Sequence, residues 1–323
     1  MSRPTTLILT AIAFTVTIAP VTAADSGSPA DAALPAYATV NGLNGTLTAI
    51  GSDTLDILMT GWKDRFSTLY SNVNMQGTYK GSNTAPPALV EGTAQLGPMS
   101  REMKKEEEDA FVAKFGYKPT KIAVAIDALA IFVHKDNPLT SLTMREADGI
   151  FSSTFKAGGS DISDWGKLAQ TAAWAGSPIS VYTRDSGSGT YVYFKEHVLM
   201  KGDFKPSAKQ QPGSAGVVQA VASDKFAIGF SGIGYVNSGV KVLTLDNGKG
   251  PVAGTLDNCL NRSYPLARLL YVYVNKAPGK PLDPLAKEYL TFALSKEGQT
   301  VVGGNGYYPL SATLAAIQRK LLD

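Results

Sequence analysis

Three tetrapeptides in the chain share the pattern Gly-Ser-x-Thr. They are Gly51-Ser52-Asp53-Thr54, Gly81-Ser82-Asn83-Thr84 and Gly187-Ser188-Gly189-Thr190. Each lies between a run that reads as a strand and a run that reads as the start of a helix. Serine and threonine at such places cap helices, so the ordinary reading is three N-caps. The other reading is chemical. A helix N-terminus points unpaired N–H groups outward and carries positive potential, which suits an oxyanion. In open α/β sheets, ligands collect beyond the carboxyl ends of the strands. Three hydroxyl-rich N-termini meeting at one point would hold a tetrahedral oxyanion through many hydrogen bonds and little formal charge. Arg184, just ahead of the third tetrapeptide in Arg184-Asp185-Ser186-Gly187-Ser188-Gly189-Thr190, adds a guanidinium able to pair bidentately. A fourth segment, QLGPMSREM over 95–103, follows another short strand and adds Ser100 and Arg101.

The elements that must position these groups alternate. TLTAI (46–50), NVNMQGTY (72–79), KIAVAIDALAIFVHKD (121–136), ISVYTRD (179–185), AIGFSGIGYV (227–236) and PLARLLYVYVNK (265–276) read as strands. DTLDILMTGWKDRFSTLY (53–70) places Leu55, Leu58, Met59, Trp62, Phe66 and Leu69 near helical spacing. APPALVEGTA (85–94), SLTMREADGIF (141–151), residues 164–169 and GVVQAVAS (216–223) read as helices, and 283–310 as one helix followed by a loop. Such alternation predicts α/β layers with largely parallel sheets.

Composition narrows the class of function. The chain has 323 residues, 44% hydrophobic and 18% charged, with a formal net charge of +3. That balance is ordinary for a globular protein of about two domains, and it gives no argument for nucleic acid. One cysteine, Cys259, excludes a disulfide within the chain, and two histidines leave little for a metal site. No cofactor is expected. The start reads as an export signal: Arg3, then the apolar LILTAIAFTVTIA (7–19), then Val21-Thr22-Ala23 with cleavage after Ala23 or Ala24. The apolar run is too short to span a bilayer. Residues 25–38 read as a loose Pro/Ala/Ser leader.

In this order, the segments resemble the phosphate-binding proteins that serve bacterial phosphate ABC transporters. The resemblance runs from about residue 45 to about 310 and rests on GSDTLDILMTGW, YKGSNTAPPAL, VHKDNPLT with IFSSTF, RDSGSGTYVYF, FAIGFSGIGYV and SKEGQTVVGGNGYYPL. The arginine followed by Gly-Ser-Gly-Thr and an aromatic is the most specific of these. The resemblance implies the type II periplasmic binding fold: two α/β lobes, a two-strand hinge and a closing cleft. It implies residues 39–125 plus 270–323 in one lobe and 126–269 in the other, with ALAIFVHKD and LARLLYVYVNK as the crossings. It also implies a monomer in the periplasm that passes inorganic phosphate to an inner-membrane permease. Residue by residue, it makes Ser52, Thr54, the Leu55 N–H, Ser82, Arg184, Ser188, Gly189 and Thr190 ligand-binding, with Ser100 and Arg101 as additions. Family members often carry an aspartate after the third strand to accept the proton of hydrogen phosphate. Here that stretch reads Pro98-Met99-Ser100-Arg101, and Asp53 and Asp185 are the acids left for the role.

Two rival readings stand beside it. One is a binding protein for another tetrahedral oxyanion, such as sulfate, molybdate or tungstate, since a fold does not fix a ligand. The other is a secreted phosphatase with Ser188 as nucleophile, but no histidine or carboxylate pair lies near Ser188 in sequence to activate it. The remaining features read as structural. REMKKEEEDAF (101–111) is a solvated helix face, Trp165 and Trp174 are packing residues, and His197 lies on a helix face. Tyr307 and Tyr308 pack a lobe edge, and Cys259 is a small hydrophobe.

Overall fold

The structure, a computed structural model, describes residues 27–323, so the export segment and its cleavage site lie outside the described residues. The first part of the chain forms β1 (Gly45–Gly51), α1 (Asp56–Leu69), β2 (Val73–Tyr79), α2 (Ala85–Glu91), β3 (Gly97–Met99), α3 (Lys105–Phe115) and β4 (Thr120–His134). The middle forms β5 (Ser141–Thr143), α4 (Met144–Phe151), β6 (Ser180–Arg184), α5 (Gly189–His197), β7 (Lys209–Gln211), α6 (Ser214–Ala222) and β8 (Ala227–Gly232). It continues through β9 (Val240–Val242), β10 (Thr244–Asp246), β11 (Pro251–Val252) and α7 (Leu256–Leu260). The last part forms β12 (Ala267–Val274), α8 (Pro284–Ala293), α9 (Lys296–Gly304) and α10 (Ala312–Lys320).

β4 is the spine. Its residues 120–128 pair with β12, and its residues 129–134 pair with β8 and β9. The sheet order is β3-β12-β4-β8-β6-β7, so β4 passes from one set of neighbours to another near Ala128. Every residue from Ile122 to Val133 is buried. A strand covered on both faces reads as a continuous apolar run, which is how this stretch reads in sequence. The parallel pairing expected of the sheets is present for β1 with β2 and for β6 with β7 and β8. It fails around the spine, where β4 meets β12, β8 and β9 antiparallel and β12 meets β3 antiparallel. β4 and β12 run in opposite directions past each other, so the sheet is mixed.

Helices cover these strands through most of the positions their spacing indicates, though Leu69 at the end of α1 is exposed. α1 buries Leu58, Met59, Trp62 and Phe66. Trp62 Nε1 donates to the Gly298 carbonyl at 2.7 Å, and Phe66 meets Tyr289 edge-on at 5.3 Å, which ties α1 to α8 and α9. α6 lays Val217, Val218 and Val221 against the strands at β4 and β8. Residues 284–304 are two helices and not one. The break falls at Leu294-Ser295, where the Ser295 hydroxyl caps α9 through the Gly298 N–H at 3.2 Å. The stretch 141–151 begins with the short strand β5, and the capping box of Thr143 and Glu146 starts α4 only after it.

The leader is not loose from Gly27 onward. Leu34 is 4% exposed and belongs to the main core. The Pro35 carbonyl accepts from the Lys296 N–H at 2.9 Å, and the Tyr37 N–H donates to Glu297 at 2.7 Å. Asp31 accepts from the Ala312 N–H at 2.8 Å, which holds the start of α10. A polar Pro/Ala/Ser composition hides this docking because a few anchored residues suffice. Leu34→Ala is therefore expected to cost about 2–5 kcal/mol of stability. An unchanged urea midpoint would return the segment to a loose leader.

Tyr264 and Tyr289 are at most 2% exposed and donate to the Leu129 and Met59 carbonyls. Burial pushes both phenols well above the usual range. The folded chain holds these protons more tightly than the unfolded chain, whose phenols ionise near pH 10, at about the ordinary value. Their stabilisation is thus complete below about pH 10 and is lost as pH rises beyond it. Alkaline titration should show phenolate absorbance from these residues appearing only together with loss of the folded far-ultraviolet signal.

Candidate anion site

The ends of four strands meet at one place. β1 ends at Gly51 and turns through a single 3-10 turn, Asp53–Leu55, into α1. β2 leads to a like turn, Ser82–Thr84, before α2. β3 ends at Met99 beside Ser100, and β6 leads through the glycine loop into α5. The hydroxyl residues Ser52, Thr54, Ser82, Ser100, Ser188 and Thr190 there are each at most 1% exposed.

The capping reading holds for only one of the three tetrapeptides. Ser188 caps α5, accepting from the Thr190 N–H at 3.2 Å and the Tyr191 N–H at 3.4 Å. Ser52 stands at an N-cap position but makes no cap bond, and its hydroxyl donates to Ser100 Oγ at 3.0 Å. Ser82 Oγ accepts from the Ser100 N–H at 3.1 Å and lies 3.3 Å from Ser100 Oγ. Thr54 Oγ1 and Thr190 Oγ1 lie 2.8 Å apart. Apart from Ser188, these hydroxyls thus bond one another across the strand ends and not their own helices.

Two glycines permit that approach. A Cβ on Gly189 would fall 2.2 Å from Ser82 Oγ and 2.6 Å from Ser100 Oγ, so any side chain would wedge the site apart. Gly81 has a φ of +136° and faces the Gly187 carbonyl, which the Asn83 N–H reaches at 3.3 Å.

Arg184 ends β6 and is 1% exposed. Its Nη1 lies 2.7 Å from Ser214 Oγ and 2.9 Å from Asp53 Oδ1, while its Nε has no hydrogen-bond partner among the described residues. Asp53 Oδ1 also accepts from the Ser214 hydroxyl at 2.7 Å and the Ser214 N–H at 2.9 Å. The carboxylate therefore sits at the N-terminus of α6, where the helix favours negative charge. Two phenols hold the 53–54 backbone: Tyr235 donates to the Asp53 carbonyl at 2.7 Å and Tyr307 to the Thr54 carbonyl at 2.8 Å. Burial pushes both phenols up, so both stay protonated donors. Tyr307 is fully buried behind the site and does not pack a lobe edge.

Three further placements differ from the sequence expectations. The Leu55 N–H is spent inside its 3-10 turn on the Ser52 carbonyl at 3.2 Å. Arg101 does not join the cluster. Its fork closes on Glu107 with two bonds of 2.7 Å, and Nη1 also reaches the Glu102 carbonyl. In the bend after β3, Ser100 faces the hydroxyl cluster and Arg101 faces Glu107 on α3. Glu107 consequently serves Arg101 and the Lys104 N–H, and that helix face is not merely solvated. Asp185 Oδ1 accepts the local Gly187 N–H at 2.9 Å, which stabilises the loop.

Arg268 and Asp127 were missed. They are direct cross-strand partners on β12 and β4, at 7% and 0% exposure. Arg268 Nε and Nη2 lie 2.9 and 2.7 Å from Asp127 Oδ2. Arg268 Nη2 also donates to Thr190 Oγ1 at 2.9 Å, and Nη1 to the Ser100 carbonyl at 2.9 Å. The available signal was one acid inside KIAVAIDALAIFV and one base inside PLARLLYVYV. Charges in strands that read as buried must pair.

The arrangement can bind an oxyanion, and among the described residues no histidine bonds Ser188. Ser188 is occupied by two backbone N–H groups. His197 stacks on Tyr193 and contacts the Tyr193 carbonyl, and His134 lies beside Asp136. Among the described residues no group of three His, Cys, Asp or Glu could hold a metal ion. Cys259 is buried, and burial pushes its thiol up to about 12. Trp165 and Trp174 pack edge-to-face at 6.2 Å.

Comparison with known proteins agrees with this geometry. The model of the PBP superfamily domain matches residues 34–297. The phosphate-binding protein PstS of Pseudomonas aeruginosa is 53% identical over 306 residues, covering 94% of this chain and 95% of that protein. Protein SphX of Synechococcus elongatus is 30% identical, covering 84% of this chain and 80% of its own. The solved structure of a substrate-binding protein with bound phosphate from Clostridium perfringens superposes with a TM-score of 0.70 at 25% identity, over 83% of this chain and all of that one. The chain belongs to the PBP superfamily, among the phosphate-binding proteins of the PstS type.

Proposed function

We propose that this chain captures inorganic phosphate between two lobes and delivers it to an ABC transporter. The observation that carries the reading is the set of six buried hydroxyls at four strand ends, joined by a buried guanidinium whose Nε has no partner among the described residues. Both cations there face carboxylates, so the site would recognise its anion chiefly by donated hydrogen bonds. The identity with a phosphate-binding protein supports phosphate as that anion. It is a binding protein and not an enzyme.

Ser52, Thr54, Ser82 and Ser100 would face the ligand from a lobe of residues 39–125 plus 270–323. Arg184, Ser188, Gly189 and Thr190 would face it from a lobe of residues 126–269, with β4 and β12 as the hinge. The chain acts as a periplasmic monomer after loss of its export segment and docks on an inner-membrane permease. Asp53 is the carboxylate that reads the proton of hydrogen phosphate. It shares Arg184 with the ligand, whereas Asp185 is spent on its own loop. Sulfate has no such proton near neutral pH and would leave that acceptor unpaired.

Calorimetric titration of the ligand-stripped protein tests this directly. Phosphate should bind tightly and sulfate should give no heat; the reverse preference would hand the site to another oxyanion. Arg184→Met should weaken phosphate roughly 100-fold, the loss of two charge-assisted hydrogen bonds. Gly189→Ala should also weaken it by about tenfold or more, since its methyl forces apart the walls that hold the donors. Asp53→Asn should narrow the gap between phosphate and sulfate. Wild-type affinity in the Arg184 and Gly189 variants would remove these residues from the site.

A further inference from the structure

Arg268, one residue into β12, is a buried cation that bonds a site hydroxyl. A guanidinium offers only N–H donors, so at the 2.9 Å contact Thr190 Oγ1 is the acceptor. The single Thr190 proton must then be donated elsewhere, toward Thr54 Oγ1 at 2.8 Å or toward an anion beside both. The same guanidinium holds the Ser100 carbonyl, which fixes the backbone that carries the Ser100 hydroxyl. Its plane lies over the Tyr193 ring at 5.1 Å, and Asp127 takes the remaining edge. Stability alone does not account for the pair: replacing a buried ion pair by apolar residues of similar volume is often neutral or stabilising. Its cost in two otherwise apolar strands is explained if its bond to Thr190 matters.

We propose that Arg268, held by Asp127, is a positioning residue of the anion site that turns the Thr190 hydroxyl into an obligate donor toward the ligand. The inference rests on the phosphate reading above and is tested by a coupling cycle with calorimetry. The doubly apolar variant Asp127→Leu/Arg268→Met removes both buried charges together and, folded, should bind phosphate about tenfold or more weakly, as loss of a charge-assisted hydrogen bond implies. Thr190→Val should weaken binding comparably. Combining all three changes should be no worse than Thr190→Val alone, because residues acting through one contact are not additive. A purely structural pair would not show that coupling. Should the apolar pair fail to fold, Arg268→Lys supplies the same cycle, since an ammonium cannot hold Asp127, Ser100 and Thr190 together. It should weaken phosphate in the wild-type background and have no effect in the Thr190→Val background. Wild-type affinity in the apolar variant, or losses that multiply in the triple variant, would overturn the Arg268 assignment and leave the phosphate reading standing. No phosphate heat in the wild-type protein would overturn both.

Discussion

Burying a polar group without a partner costs on the order of 1–3 kcal/mol, and this molecule buries six hydroxyls, two guanidinium groups and a fully enclosed carboxylate in one place. Each must find a partner, and the partners available are one another. Ser52 and Ser82 serve Ser100, Thr54 serves Thr190, Arg268 serves Thr190 and Asp127, and Arg184 serves Ser214 and Asp53. The contacts bring the ends of β1, β2, β3 and β6 to one point. That convergence depends on β4 and β12 running beside each other through the middle of the molecule. Loss of any one member would leave another desolvated and unpaired, so the cluster constrains the fold as much as the fold positions the cluster.

Electrostatics follow from the same constraint. Each buried arginine has an acid beside it, so the cluster carries little net charge despite its potential for anions. A hydroxyl can act as donor without adding charge, and a hydrogen bond from behind decides which way it donates. Ser188 receives two backbone N–H groups, Ser82 receives the Ser100 N–H, and Thr190 receives Arg268. In each case nitrogen donors fill the rear of the oxygen and leave the proton to point forward. Selectivity in such a site comes from the pattern of donors and acceptors more than from charge.

Helix termini do a supporting part of the work. α5 begins at Gly189, and its close approach to Ser82 and Ser100 is possible only without a side chain. α6 begins at Ser214, and the Asp53 carboxylate at its N-terminus comes from a segment far away in the chain. Tyr235 and Tyr307 hold the Asp53 and Thr54 carbonyls from elements after β8 and α9. Arg184 thus ends β6 and Gly189 and Thr190 open α5, while the phenols that hold the 53–54 backbone come from the turn Ile233–Tyr235 and the bend after α9.

The repeated Gly-Ser-x-Thr pattern, the glycine loop after Arg184 and the strand-helix alternation were legible along the chain because each is a local signal. Glycine permits a tight turn, hydroxyls favour helix starts, and apolar periodicity marks strand or helix. These were enough to single out Ser52, Thr54, Ser82, Ser100, Arg184, Ser188, Gly189 and Thr190, which the structure buries together at the strand ends, while the Leu55 N–H is spent inside its own turn. They did not settle whether Ser52 and Ser82 cap helices or bond Ser100, nor that Arg101 turns to Glu107 while Arg268 turns to Thr190. They also missed the docking of Leu34 and the antiparallel pairing at β4. Those outcomes depend on partners distant in sequence: Thr54 and Thr190 stand 136 residues apart, and Arg268 and Asp127 stand 141 apart. A residue type fixes what a side chain can donate or accept, but only the packing of the strands decides which partner comes within 3 Å of it.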